Sequence, residues 1–224
     1  GLAADTTSDA YSVTINTAAF NAAGDTNFLN KGTVTLGNDV NDVLTFTGGL
    51  GTTGNTTNPA TVNAAGTINT TDTRMDIGAV TLTADTTFDT GNAAAGILNI
   101  GAVTSGSNAL TLDSGSTALA TMSLTSMVDA SGGLTIRDAG GLATIGDIGS
   151  GTAGAVTISD STGGVTFNAN VDSTTFTIAK SLDAAAITFS GATVDITTAF
   201  NPNIATGLAA DTTSDAYSVT INTA

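Results

Sequence analysis

The sequence predicts an all-β chain coiled as a parallel β-helix, a β-solenoid of about ten turns of roughly 20–22 residues each. Three observations carry that expectation. Strong helix formers are scarce: there is no Glu and no Gln, all 19 acidic residues are Asp, and Lys and Arg together number 4. Thr, Val and Ile, which favour strands, alternate with Gly, Asn, Asp and Ser, which favour turns. Short apolar-Thr-apolar triplets recur along the whole chain, and part of it aligns with itself without a gap.

In chain order, strands are expected at SVTIN (12–16), TVTLG (33–37), VLTFTG (43–48), AVTLTAD (79–85), ILNIGAV (97–103), ALTLDSG (109–115), MSLTSM (122–127) and GLTIRD (133–138). They continue at LATIGDI (142–148), AVTISD (155–160), GVTFNAN (164–170), TFTIAK (175–180), AITFSG (186–191) and VDITT (194–198). Each alternates with period two, which places one face inside and one outside. Residues 132–153 written above 154–175 need no gap: Leu134 falls on Val156, Ile136 on Ile158, Asp138 on Asp160 and Ile145 on Phe167. Phe167 then falls on Phe189. Such a turn cannot bury its apolar face alone, so like stacks on like along an axis. Outward Thr residues then form ladders, Gly takes corners that need positive φ, and Pro59 and Pro202 fall outside the strands. The stretch 48–66 reads as a longer loop.

A second repetition acts at larger scale. GLAADTTSDAYSVTINTA occupies 1–18 and again 207–224 without a mismatch. Residues 1–206 therefore read as one unit of a tandem array and 207–224 as the start of the next. A whole number of turns per unit would let the coil continue unbroken, with an axial advance of about 48 Å.

The apolar-Thr-apolar triplets, GG and DSG turns, Cys-free acidic composition and long repeat resemble giant repetitive bacterial surface proteins. These include filamentous-haemagglutinin-like and autotransporter-like β-solenoids. The resemblance implies a right-handed parallel β-helix, secretion to the cell surface or beyond, and adhesion or matrix building. It carries over no functional residues.

Charge and residue types narrow the function. The net charge of −15 repels nucleic acid and anionic membranes. No apolar run approaches a membrane span. With no His and no Cys there is no Ser-His or Cys-His pair and no ordinary zinc site, so no enzyme is expected. Gly149–Gly154 matches G-x-G-x-x-G, but a strand rather than a helix follows, so it reads as a turn. Asp138 and Asp160 would face each other across adjacent turns, splayed into solvent or bridged by calcium. Asn55, Thr56 and Thr57 form a sequon in the expected loop and are the candidate binding loop; Asn69 heads a second sequon. The expected partner is the chain's own next unit, end to end, with lateral bundling. The expected role is a filament or stalk. Alternatives are a multivalent adhesin, tandem immunoglobulin-like sandwiches of about 100 residues, or a lattice protein.

Overall fold

In the computed structural model, described for residues 10–54, 59–179, 186–190, 193–202 and 218–221, every strand pairing is parallel. That excludes immunoglobulin-like sandwiches, whose sheets are antiparallel. The chain winds through three stacks of strands, A, B and C, in turn, and each turn is a template for the next.

The first coil is β1 (Val13–Ile15), β2 (Ala19–Ala22) and β3 (Thr26–Asn27), one strand in each stack. The second is β4 (Thr33–Leu36), β5 (Val43–Phe46) and β6 (Leu50–Gly51). From the third on, long strands often bend through a corner and serve two stacks. These coils are built from β7 (Thr61–Thr70), β8 (Met75–Ile77), β9 (Val80–Asp89), β10 (Leu98–Thr104), β11 (Leu110–Asp113) and β12 (Met122–Val128). A 3₁₀ turn at Ala130–Gly132 precedes β13 (Leu134–Asp138). Then follow β14 (Ala143–Ile148), β15 (Gly154–Ile158), β16 (Val165–Phe167), β17 (Val171–Ile178), β18 (Ala186–Phe189), β19 (Val194–Pro202) and β20 (Ser218–Ile221).

Register makes the core a set of columns. Stack A carries Val13, Val34, Val62, Val80, Val103, Met127, Ile148, Val171 and Val194, each in register with the next. Stack B carries Phe20, Leu44, Ile68, Phe88, Leu112, Ile136, Ile158 and Ile178. Stack C carries Leu50, Met75, Leu98, Met122, Ala143, Val165 and Ile187. Most of these side chains are fully buried and form one continuous apolar cluster. Each buried Val, Leu or Ile contributes about 1.5–3 kcal/mol of transfer free energy. One narrow interior suffices, because stacked neighbours of similar size fill it, with Phe28, Phe46, Phe88, Phe167, Phe176 and Phe189 as its largest buried side chains.

The alignment of 132–153 with 154–175 holds, pairing Leu134 with Val156, Ile136 with Ile158, Ile145 with Phe167 and Phe167 with Phe189. The turn count is lower than expected: about eight turns separate Val13 from Val194. Several turns are longer than that alignment implies because their corners swell, as from Val34 to Val62 and from Val103 to Met127. The stretch expected as one long loop holds β6 and the start of β7. Pro202 is not outside the strands but ends β19, in register with Ile178. Finally, the two copies of Ser-Val-Thr-Ile differ in place: Val13–Ile15 pairs in stack A, whereas Ser218–Ile221 pairs with β18 in stack C.

Candidate functional site

The outer surface of the coil is a set of polar ladders. In stack B, Thr67, Thr87, Thr111, Thr135, Thr157 and Thr177 stand in unbroken register. In stack C, Thr144, Thr166 and Thr188 do the same. Below them Asn99 donates from Nδ2 to Asp76 Oδ1 at 2.8 Å, and Ser123 Oγ donates to Asn99 Oδ1 at 2.7 Å. Arg74 Nε donates to Asp76 Oδ2 at 2.5 Å; that bond holds the guanidinium pKa above its ordinary value despite some desolvation.

The densest charge cluster lies at the corner that follows stack B. Asp89, Asp113 and Asp138 are in register in three successive turns. Each opens an Asp-x-Gly corner: Asp89-Thr90-Gly91, Asp113-Ser114-Gly115 and Asp138-Ala139-Gly140. In the first two, the Asp Oδ1 accepts the glycine N–H at 2.8 Å. The buried hydroxyl between them turns inward: Thr90 Oγ1 donates to Gly96 O at 2.6 Å, and Ser114 Oγ donates to Ala120 O at 3.0 Å. Gly115 has φ 73°, and a Cβ there would collide with Gly91 O, so only glycine fits.

Stacked carboxylates repel, and Arg137 offsets part of that repulsion by pairing with two of them. Its Nη2 reaches Asp89 Oδ2 at 2.7 Å, two turns away, while its Nε bonds Asp113 Oδ2, one turn away. Burial opposes the charge on the guanidinium. The hydrogen bond and charge of Asp113, then those of Asp89, outweigh it and raise the pKa above its ordinary value. Arg137 is the extra residue of a register shift between Leu112 and Asp113, which leaves Arg137 exposed and sets Asp138 over Asp113.

Asp138 therefore stands over Asp113, and the recorded β13–β15 register stops at Ile136 and Ile158, short of Asp160. Asp138 and Asp160 are both half-buried. Among the described residues no three acidic, His or Cys side chains gather closely enough to hold a metal ion. An acidic depression of about 330 Å³ is lined by Asp147, Asp172 and Asp195 with Ser150, Asn170 and Thr193. Asp172 and Asp195 are in register there.

The candidate binding residues Asn55, Thr56 and Thr57 lie outside the described residues. The strand that follows them, β7, helps line a second depression of about 220 Å³ in stack A, with Thr61, Thr81 and Thr104 among small alanines. The glycine motif at 149–154 is a bend between β14 and β15, as its flanking strands imply. Missed by the sequence reading were the roles of Asp89, Asp113 and Arg137. Writing the Asp-x-Gly corners beneath one another would have revealed the first two.

No helix among the described residues is long and apolar enough to cross a membrane. No protein-family model, curated protein or solved structure matches the chain.

Proposed function

We propose that the chain is a structural repeat of a secreted or cell-surface filament of bacterial type, a non-catalytic stalk or matrix fibre. The observation that supports this best is the union of two repetitions. Among the described residues, each turn is stacked on the last around one continuous apolar core. At larger scale, residues 207–224 repeat the sequence of 1–18. The outward residues are short polar ladders and Asp corners, with no His or Cys for nucleophilic or zinc chemistry. A right-handed coil accords with the crossover preference of parallel strands. The partner is the next copy of the unit, and the −15 charge keeps rods soluble and apart from nucleic acid. Calcium bound weakly among corner carboxylates such as Asp138 and Asp160 would reduce their repulsion.

The experiment is a power spectrum from electron images of chains carrying several units in tandem. A strong axial line near about 4.8 Å is expected. A beaded string lacking that line would overturn the filament reading.

A multivalent adhesin is the second reading, favoured by the Thr-lined depression partly formed by the strand after the Asn55 loop. It requires an isolated unit to bind a cell or glycan surface and to lose that binding when the loop is deleted. Unchanged binding would exclude the loop.

A further inference from the structure

We propose that consecutive units join out of phase by one strand stack, so that the opening strand of each unit seats on stack C of its predecessor and the array regains its phase only after three units. This rests on the tandem-array reading above.

The first observation is the placement of the repeated segment. In its first copy, Val13–Ile15 runs in stack A beneath Val34–Leu36. In its second copy, Ser218–Ile221 runs in stack C, with Val219 in register with Ile187, Thr220 with Thr188 and Ile221 with Phe189. A unit thus advances the coil by eight turns and two further stacks, not by a whole number of turns.

The second observation is chemical. Stack C ends in three outward threonines, Thr144, Thr166 and Thr188, so Thr220 continues a register of its own kind. Stack A ends instead in Asp195, in register with Asp172. With the shifted phase, the next strand to pass over Val194–Ile196 would be the copy of Ala19–Ala22, which brings an asparagine (the copy of Asn21) to that acidic position. Asn over Asp is the arrangement already present where Asn99 donates to Asp76. The in-phase alternative sets a threonine over Asp195 and interrupts the stack C ladder.

The third observation is where the aromatics lie. Of eight Phe, Phe20, Phe28 and Phe46 cluster in the first two coils, with ring centroids 5.5 and 6.4 Å apart. Phe167, Phe176, Phe189 and Phe200 cluster in the last three, with centroids 5.2–5.8 Å apart. The middle of the unit holds only Phe88. Joining units brings the two aromatic clusters to one seam, where large apolar surfaces add most to the cohesion of the junction.

The chain has no Cys, so introduced thiols report the phase directly. In the 224-residue chain carrying Thr188→Cys, Asp195→Cys and Thr220→Cys together, the thiol at 220 has two candidate partners on different stacks. Adjacent parallel strands place paired Cα atoms within disulfide range, and non-adjacent ones do not. Mild oxidation and peptide mapping should give the 188–220 linkage over the 195–220 linkage by about tenfold or more. A dominant 195–220 linkage would overturn the phase shift while leaving the continuous array intact. Neither linkage, in a chain whose circular dichroism shows intact β-structure, would mean that the second copy does not stack on the coil. That outcome would sink this proposal and weaken the filament reading as well.

Discussion

Arg137 bears on three turns at once. Its side chain is 45% exposed, so each ion pair alone contributes little, about 0.2–1 kcal/mol. The larger effect is that Asp89 and Asp113 are forced into register by the apolar columns beside them, and like charges directly opposite destabilise a ladder. Arg137→Ala should therefore cost about 1–2 kcal/mol in urea unfolding at low ionic strength. About half should return at high salt, and Asp113→Asn in the same chain should recover part of the rest. A loss insensitive to salt would mean that packing of the Arg stem, not charge, is what matters. The carboxyl of Asp39 illustrates corner chemistry without a cation. It accepts the backbone N–H of Asn41 at 2.9 Å and its side-chain amide at 2.7 Å, and these bonds hold it below the ordinary 3.8.

At the scale of the strand, the threonine ladder separates shape from polarity. Thr135 lies between Thr111 and Thr157, half-buried and outward. Its β-branch packs against neighbours above and below, and that packing is what strand preference measures. Thr135→Val should thus change stability by less than about 0.5 kcal/mol, whereas Thr135→Gly should cost about 1 kcal/mol or more, read from the denaturation midpoint. A large loss on Thr135→Val would show that the hydroxyls, not the methyls, hold the ladder. The strands legible in the sequence were those with apolar-Thr-apolar triplets, such as β4, β11 and β16, because alternation over a few residues marks a half-buried strand. The strands that escaped were β2 (AFNA), β3 (TN), β6 (LG), β7 (TVNAAGTINT) and β8 (MDI). They are too short or too rich in Ala, Asn and Gly to alternate, and they exist because the turns on either side give them partners. The corner cluster escaped for a related reason. Writing the chain against itself aligns Asp138 with Asp160 of the following turn, whereas its match with Asp113 of the preceding turn needs the one-residue register shift at Arg137, which a gapless alignment does not show.

For the whole molecule, stability is a sum of turns and of the contacts between neighbouring turns. Deleting residues 134–155, one full turn, would bring Val156 onto Leu110, Val165 onto Met122 and Val171 onto Met127, all apolar on apolar. That variant should fold, with unchanged secondary-structure content per residue and a smaller urea m-value in proportion to its size. Deleting only 134–144 breaks the stack order and should yield a chain that does not unfold cooperatively. Equal behaviour of the two deletions would argue against a coil of interchangeable turns. The lower turn number also changes what images of the fibre discriminate. At about 4.8 Å per turn, eight to nine turns advance about 40 Å per unit. That is near the spacing of beaded sandwich domains, so the axial line from strand stacking, not the long repeat, is the decisive signal.

The parallel ladders have a mechanical consequence. Bonds such as Gly37 N–H to Ile15 O and Ala179 N–H to Ile158 O join one turn to the next. They therefore lie along the long axis of the coil. Tension applied at the two ends loads the outermost turn first, and its bonds part before those of the turn beneath are strained. Each turn let go releases about 22 residues, or about 75 Å of slack. A fibre built this way would lengthen under a low, nearly constant pull by shedding turns one after another. It would rewind from the turns that remain, as a tether that yields before it snaps.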